Sequence, residues 1–487
     1  MCESGQGPGA AAIALAVFAA AAGLTVDAKA AELSSKPQTF SKAETRTKAE
    51  TLTRAETLPS ALAQAYRNNP QLNAERARVR AIDESVPQAL SGYRPTVTVT
   101  ADVDAQYFRQ ESETGTVSGT TFPRGYGVTA TQTLFNGLRT GNRTRAAEGQ
   151  VFAGREGLRI LEQQVLLDAA TQYMNVLRDT AILELNRRNV EVLEEQLRQT
   201  RDRFNVGEVT RTDVAQAESR LAAARSAALA AESNLVTSKA AFRRVIGVES
   251  VRLAAATPVD RLSPVTLPAA VARGNTEHPQ ITAAMYGVDV QLLQVKIAEG
   301  ALYPTLTLQG SVQDRFNTSP LISRQTVASA VAQLSIPIYQ GGQEYSLIRQ
   351  SKETLGQQRL NLELQRDLVR ATVVQAWGQL EAAKAQIQAA QAQVAAAEIA
   401  LNGVREEARV GQRTTLDVLN AQQELVNARV TLVTAQRDRV VASYTLLAAT
   451  GRLLPQVLKL GVEIYDPGVH YHQVRDAWTG VRIPDGR

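Results

Sequence analysis

The chain has 487 residues, of which 44% are hydrophobic, 21% are charged and only 5% are aromatic. This length suggests about three globular domains, and the composition excludes a wholly disordered chain. The 53 basic residues exceed the 48 acidic ones, but no basic block or cluster of aromatics accompanies them, which argues against nucleic-acid binding. Three His and one Cys provide little material for a metal site or a nucleophile–base pair. We therefore expect neither an enzyme nor a cofactor.

The N-terminal region has the features of an export signal. An apolar run from Ala10 to Leu24 is followed by Ala28-Lys29-Ala30, a small-x-small cleavage pattern. No Lys or Arg precedes the run, so the alternative is a buried N-terminal helix. We interpret residues 1–30 as a signal peptide. Residues 42–59 contain a short charged repeat without an apolar face, and residues 31–56 are interpreted as a low-complexity tether.

The rest of the chain contains an internal duplication. Thr57-Leu58-Pro59 recurs as Thr266-Leu267-Pro268, and Val206-Gly207 recurs as Val410-Gly411. The register holds over several separated blocks, which chance similarity does not explain. The duplication divides the chain into a first repeat at 57–247, a connector at 248–265, a second repeat at 266–451 and a C-terminal segment at 452–487.

Each repeat is predicted to contain one β-hairpin. From Thr96 to Tyr107 apolar and polar residues alternate almost strictly, the pattern of a strand with one apolar face. Polar loops at about 109–124 and 317–325 connect the paired strands. The four predicted strands lie at about 96–107, 126–135, 305–316 and 327–339. The predicted junctions between helices and strands are marked by Pro95, Gly137, Pro304, Pro337 and Gly341.

The remaining residues predict long helices. Five apolar residues recur at every seventh position, which is the spacing of a coiled-coil seam. They are Val176, Leu183, Val190, Leu197 and Phe204. A helix from about Thr140 to Asn205 would be about 100 Å long at ~1.5 Å per residue. Such a length suits a rod or a tube and no compact domain.

The alternating strands place a constraint on the whole molecule. In an exported chain, a sheet of this pattern can span a membrane only as a closed barrel, because lipid satisfies no backbone edge. Four strands are too few, since small membrane barrels have at least about eight. Several chains must therefore share one barrel, unless the strands form a soluble β-subdomain packed on the helices. Aromatic residues near the predicted hairpin ends are typical of a membrane-interface belt: Tyr107, Phe108, Phe122 and Phe316.

The duplicated helix–hairpin–helix unit resembles the TolC family of outer-membrane export proteins. The motifs that carry the resemblance are Tyr303-Pro304-Thr305-Leu306, the segment Ile336-Pro337-Ile338-Tyr339-Gln340-Gly341-Gly342, and the paired turns at Gly207 and Gly411. The resemblance covers about residues 57–452. It implies a mainly α fold with a small β part. Three chains would share one twelve-stranded barrel in outer-membrane lipid, and their coiled-coil helices would form an α-barrel tunnel in the periplasm.

The resemblance also implies a function. Such a homotrimer is a passive exit duct for type I protein secretion, multidrug efflux or both. It would be recruited by a periplasmic adaptor and an inner-membrane transporter of the ABC or RND type. The C-terminal segment from Tyr465 to Trp478 is richer in aromatics than the helices, and we expect it to pack on the outside of the tunnel. The alternative from another class is a secreted coiled-coil structural or adhesive protein.

Two turns, at 206–213 and 410–417, each end one predicted helix and begin another. Glycine suits the left-handed backbone position after a helix C-terminus, and a Thr three residues before an Asp has the spacing of a capping box. The residues concerned are Gly207, Thr210 and Asp213 in the first turn and Gly411, Thr414 and Asp417 in the second. The pattern by itself requires only that these residues build helix hairpins.

The resemblance adds a functional role for these turns. In the family they form the tunnel entrance, where acids line the constriction and polar links between hairpins hold it shut. By position, Asp417 is a lining acid, and Asp213 and Arg413 form a linking pair. Asn420, one helical turn beyond Asp417, departs from the family pattern, in which a second acid can occur. The turn residues expected to face the adaptor are Gly207, Thr210, Gly411 and Thr414.

The histidines give weaker signals. His470 and His472 could contribute two ligands to a metal site, but such a pair in a C-terminal segment is more often incidental. His278 precedes a proline at a predicted helix start, which favours a structural role.

Overall fold

The structure is a computed structural model that describes residues 55–484, apart from residues 114, 320 and 321. The predicted signal peptide and nearly all of the predicted tether lie outside the described residues. Glu56, assigned to the tether from sequence, instead forms a parallel bridge with Leu253 of the connector. Its backbone N–H donates to the Arg252 carbonyl at 2.8 Å, and its carbonyl accepts from the Ala254 N–H at 2.8 Å. The first repeat therefore begins against the connector.

The first repeat starts with three short helices. They are α1 (Leu58–Asn68), α2 (Pro70–Asp83) and α3 (Ser85–Leu90). The break between α1 and α2 has a local cause. Asn69 accepts hydrogen bonds from the backbone N–H groups of Gln71 and Leu72 and so caps α2, and Pro70 suits the first helical position.

Two long helices complete the first repeat, and the second repeat contains two shorter helices followed by two long ones. The helices are α4 (Arg139–Asn205), α5 (Arg211–Ile246), α6 (Leu267–Glu277), α7 (Pro279–Glu299), α8 (Gln343–Arg409) and α9 (Thr415–Ala449). Helices α4 and α8 have 67 residues each, so each extends about 100 Å. The predicted long helix and the duplication are confirmed. No helix in the described ranges combines the length and the hydropathy needed to cross a membrane.

The predicted coiled-coil seam of α4 is confirmed except at its last position. Val176, Leu183 and Leu197 are buried, and Val190 packs against a buried cluster. Phe204 is 42% exposed. It lies in the last turn of α4, next to the turn that joins α4 to α5.

A C-terminal helix, α10 (Pro467–Val474), packs on the first repeat. His470 Nδ1 lies 3.0 Å from Oδ2 of Asp83, which is fully buried at the end of α2. Further on, Arg94 donates to the Ala477 carbonyl at 2.7 Å, and its guanidinium lies 4.5 Å from the centre of the Trp478 ring. The C-terminal segment is therefore held by polar and aromatic contacts.

The described residues form two antiparallel sheets from six strands. The strands are β1 (Thr96–Val103), β2 (Gln106–Ser112), β3 (Gly115–Thr121), β4 (Arg124–Asn136), β5 (Thr305–Ser319) and β6 (Ile322–Ser335). One sheet has the order β1-β4-β5-β6, and β2 pairs only with β3. The main sheet thus takes two strands from each repeat.

The prediction of four strands was wrong in the segment between β1 and β4. The polar loop expected at 109–124 is mostly the β2–β3 hairpin, and β1 ends at Val103 instead of continuing to Tyr107. Opposite this break lies Pro123, whose carbonyl accepts from the Asp104 N–H at 2.8 Å. Proline has no N–H to donate in return, so the ladder stops there.

The last strand begins and ends earlier than predicted. Strand β6 ends at Ser335, two residues before Pro337, and not at Tyr339. Pro337 has no N–H to donate to the ladder, which accounts for the end of β6 at Ser335. The turn between β5 and β6 is also shorter than the loop expected at 317–325, because β5 reaches Ser319 and β6 begins at Ile322.

The four-stranded sheet is covered on neither face. Every residue of β1 and of β6 is exposed, including Val99 at 74%. These two strands are also the sheet's edges, so each presents unpaired backbone groups. The alternative of a soluble β-subdomain packed on the helices is therefore wrong for the described chain.

The junctions between helices and sheet differ between the repeats. Pro95 and Pro304 directly precede β1 and β5. Gly137 and Gly341 both have a φ of 65°. A Cβ added at Gly137 would lie 2.3 Å from the Gly300 carbonyl oxygen, whereas one added at Gly341 would meet nothing within 4 Å. The first junction is thus closely packed and the second is open.

We expect Gly137→Ala to destabilise the protein more than Gly341→Ala. Both changes carry the left-handed backbone cost of about 1–2 kcal/mol. Only at Gly137 does the added methyl group meet backbone, at a further cost of about 1–3 kcal/mol. The measurement is the thermal unfolding midpoint of the purified protein in detergent, followed by helical circular dichroism. Equal midpoints would contradict the close approach of Gly137 to Gly300.

Candidate functional site at the helix turns

The two helix turns have the same backbone geometry. Gly207 follows the end of α4 with a φ of 81°, and Gly411 follows the end of α8 with a φ of 80°. In the first turn the Glu208 N–H donates to the Arg203 carbonyl at 2.9 Å, and in the second the Gln412 N–H donates to the Glu407 carbonyl at 2.9 Å. These are the bonds of a Schellman motif. The predicted left-handed glycines are confirmed.

Each turn continues into a capping box, also as predicted. In the first, Asp213 Oδ2 accepts from the Thr210 N–H at 2.9 Å, and Thr210 Oγ1 accepts from the Asp213 N–H at 3.3 Å. In the second, Asp417 Oδ2 accepts from the Thr414 N–H at 3.0 Å, and Thr414 Oγ1 accepts from the Asp417 N–H at 3.3 Å. The reciprocal bonds satisfy backbone donors that the first turn of a helix leaves unpaired.

The capping boxes also keep both aspartates ionised. The side-chain and backbone hydrogen bonds from Thr210 hold the pKa of Asp213 below its usual value. The backbone and side-chain hydrogen bonds from Thr414 do the same for the pKa of Asp417. Each aspartate therefore carries a full negative charge at neutral pH, next to the positive end of a helix dipole.

The described chain does not bring Asp213 and Arg413 together. Arg413 Nε donates to Glu407 Oε2 of its own hairpin at 2.8 Å. The corresponding contact in the first hairpin joins Arg203 Nε to Glu208 Oε2 at 3.0 Å. The pairing of Asp213 with Arg413 of another hairpin therefore remains a prediction about an assembly of chains.

Asn420 takes part in a contact between the two hairpins that the sequence did not predict. Its Oδ1 accepts from Arg220 Nη2 of α5 at 2.7 Å. One residue earlier, Leu419 is 2% exposed and packs into a cluster of the first hairpin that includes Leu197 and Leu221. A polar bond and an apolar contact thus join α9 to the first hairpin, just behind the turns.

A difference between the repeats could have indicated the apolar contact. Leu419 occupies the position that Ala215 occupies in the first repeat, where the chain is exposed. A large apolar residue at a position held by alanine in the other copy favours a contact that only one hairpin makes. No comparable signal in the sequence identifies Arg220 as the partner of Asn420.

The histidines have structural contacts and lie away from the turns. His278 caps α7 by accepting from the Gln280 N–H at 3.2 Å, and burial lowers its pKa to about 4. His470 contacts Asp83. Burial raises the pKa of Asp83, and the hydrogen bond to His470 partly offsets this rise. Across the described residues, no group of three or more His, Cys, Asp or Glu side chains is placed to hold a metal ion.

The chain combines two long helical hairpins with a sheet that has open edges and no covered face. This architecture is that of a duplicated subunit of a tunnel. Comparison with known proteins identifies its family. The family model described as outer membrane efflux protein matches residues 61–248 and 275–452. These two matches coincide with the two repeats. The chain belongs to the outer membrane efflux protein family.

Individual relatives agree with this assignment. The outer membrane efflux protein BepC of Brucella suis is 44% identical over 434 residues, covering 88% of this chain and 92% of that protein. The outer membrane protein TolC of Vibrio cholerae is 27% identical over 412 residues, covering 81% of this chain and 90% of that protein. The Campylobacter jejuni CmeC outer membrane channel shares the fold, with a TM-score of 0.73 at 16% identity, covering 86% of this chain and 89% of that chain.

The family settles several of the sequence-based predictions. The TolC-like fold is confirmed, and the chain is a channel protein for efflux or secretion and not an enzyme. It lies in the outer membrane, with its helical tunnel in the periplasm. The alternative of a secreted structural or adhesive protein finds no support.

We expect Leu419→Ala to loosen the second hairpin from the first. Removing a buried leucine side chain costs about 2–5 kcal/mol, and here the lost contact joins the two hairpins directly. Amide hydrogen exchange over residues 415–425 should become faster. The control is Val410→Ala, which truncates a side chain that is 72% exposed on the neighbouring turn. Equal protection in both variants would mean that Leu419 does not hold the hairpins together.

Proposed function

We propose that three copies of the chain close their four-stranded sheets into one twelve-stranded barrel in the outer membrane. The observation that carries this proposal is a sheet with two open edges and no covered face. In lipid, the unpaired groups of β1 and β6 can be satisfied only by strands of neighbouring copies. Twelve strands also exceed the minimum of about eight for a membrane barrel.

The strand register supports this arrangement by separating the two faces. Val99, Val128 and Val312 lie directly opposite one another across β1, β4 and β5. The adjacent row, on the other face, contains Thr98, Thr129 and Ser311. We assign the valine face to lipid and the hydroxyl face to the water-filled lumen.

The long helix of the second repeat also needs a neighbour. Leu360, Leu364 and Leu368 lie four residues apart on α8 and therefore share one helix face. Their exposed fractions are 73%, 53% and 49%. A continuous apolar stripe of this kind is rare on an isolated soluble protein. We infer that a helix of the adjacent copy covers it, so that the helices close into the periplasmic tunnel.

We infer that the trimer is a passive exit duct, recruited by an inner-membrane transporter of the ABC or RND type through a periplasmic adaptor. The similarity to BepC, which is named as an efflux protein, favours efflux. The resemblance to the TolC family keeps type I protein secretion as a second use. The C-terminal segment packs on the outside of the tunnel in this assembly. The adaptor contacts the exposed turns that contain Gly207, Thr210, Gly411 and Thr414.

The same turns form the closed entrance. Asp417 contributes one negative charge per chain to a ring of three around the axis. Arg413 is held by Glu407 at 2.8 Å and can extend a second hydrogen bond to Asp213 of a neighbouring hairpin. Within each chain, the bond from Arg220 to Asn420 supports the closed arrangement. The gate therefore consists of exposed polar links of modest individual strength.

We expect arginine on the valine face to prevent assembly. Val99→Arg and Leu308→Arg should cost about 2–4 kcal/mol per site near the membrane midplane. Thr98→Arg and Thr307→Arg are the matched controls, because each lies one position away on the lumen face. Native mass spectrometry of detergent-extracted protein should show trimers for the parent chain and the controls. A monomeric parent chain, or equal tolerance on both faces, would contradict the shared barrel.

We expect Arg413→Ser and Asp417→Asn to have different effects on the entrance. Losing an exposed link of about 0–1 kcal/mol, repeated three times, should shift the equilibrium towards the open state and raise single-channel conductance. Asp417→Asn preserves an oxygen for the capping box but removes the charge ring, so cation selectivity should fall. Both properties can be measured in planar bilayers.

The control for the entrance experiment is Glu208→Gln. Glu208 is exposed and pairs with Arg203 of the same hairpin, so its loss should change neither conductance nor selectivity. If Arg413→Ser conducts like the parent chain and Asp417→Asn remains fully cation-selective, these residues act only in helix capping.

A further inference from the structure

A row of three side chains crosses the sheet at the end that lies farthest from the helices. Arg124 of β4, Phe316 of β5 and Arg324 of β6 are directly opposite one another in the strand register. The guanidinium carbons of the two arginines lie 5.7 and 5.4 Å from the centre of the Phe316 ring. We call these three residues the arginine row. The aromatic ring holds both cationic groups on one face of the sheet.

The next row of side chains on this face, towards the helices, neutralises the charge of only one of the two arginines. Asp314 is buried and accepts from Arg324 Nε at 3.1 Å and Arg324 Nη2 at 2.7 Å. It also accepts from the Tyr126 hydroxyl at 3.1 Å and the Thr326 hydroxyl at 3.1 Å. Arg324 is thereby held in one orientation, with Nη1 directed to neither oxygen.

Arg124 is not compensated in the same way. It is exposed, and within the described part of the chain it forms no ion pair. Two arginines and one aspartate therefore leave one net positive charge on this patch. A positive charge of this kind, on the face assigned to lipid, calls for an anionic partner.

The position of the arginine row on the sheet indicates where that partner lies. Leu306 and Phe316 are on the same face of β5 and ten residues apart. Ten residues span about 33 Å at ~3.3 Å per residue, or about 25 Å along the normal for a strand tilted by ~40°. The apolar band of a membrane barrel is about 25 Å tall. Phe135, Leu306 and Leu334 form the row at the helix end, so the arginine row lies at the opposite headgroup level.

We propose that the arginine row binds the phosphate group of a lipid in the outer leaflet. The helices lie in the periplasm, so the far end of the sheet faces the cell exterior. Guanidinium groups bind phosphate oxygens through paired N–H donors, and Phe316 provides an apolar surface for the lipid beside them. The inference rests on the proposed barrel, because it requires the valine face to meet lipid.

The test uses the purified trimer in nanodiscs of phosphatidylethanolamine doped with bisphosphorylated lipid A. Native mass spectrometry counts the lipid A molecules that remain bound. Arg124→Gln should reduce retention about five-fold, the effect of one basic residue near a charged membrane surface. Arg124 is the informative position, because replacing Arg324 would also leave Asp314 without its cation. Arg124→Lys keeps the charge without the planar fork and should bind at an intermediate level.

The matched control is Arg315→Gln, which removes an arginine from the neighbouring strand β5 but on the lumen face, where it lies near Asp102. It should retain lipid A like the parent chain. Equal retention by Arg124→Gln and Arg315→Gln in assembled, conducting trimers would overturn the lipid site and leave the exit duct intact. Undiminished binding of dephosphorylated lipid A, or full displacement by inorganic phosphate, would also overturn it. Failure of the parent chain to form trimers would overturn both proposals.

Discussion

A strand edge cannot end in hydrocarbon, because its backbone N–H and C=O groups would have no partner there. This chain presents two such edges, β1 and β6, on a sheet that no helix covers. The leucine stripe of α8 adds an apolar helix face that is equally uncovered. In the proposed trimer, the association of identical copies satisfies the strand edges and covers the leucine stripe. Under that proposal, the single chain is one sector of a larger ring.

The two repeats share their local chemistry but differ in the contacts they make with each other. Both turns have the same left-handed glycine and the same capping box. Only the second hairpin inserts a leucine, Leu419, into its neighbour and accepts a hydrogen bond at Asn420. The duplication therefore gives two hairpins with the same local structure, and differences between the two copies determine the contacts between them. The proposed gate could open without unfolding, because the capping boxes do not depend on the links between hairpins.

The features predicted from sequence depend on residues close together in the chain. The two side chains of each capping box are three residues apart, and the heptad seam of α4 repeats every seven, so the pattern itself specifies the structure. The β2–β3 hairpin was missed because its Gly, Ser and Thr residues have the composition of a loop. The contacts between Arg220 and Asn420 and between Asp83 and His470 were missed for another reason. Their partners are 200 and 387 residues apart, and no local pattern encodes such a pairing.

The equal length of α4 and α8, 67 residues each, ties the evolution of the two repeats together. A seven-residue deletion preserves a coiled-coil seam within one helix, but it shortens that helix by about 10 Å. In the proposed trimer, the two helix turns of each chain would then lie at different heights. The ring of turns at the tunnel entrance would no longer be level. A change in the length of one long helix therefore requires the same change in the other. Indels in one half of such a gene are expected to be mirrored in the other.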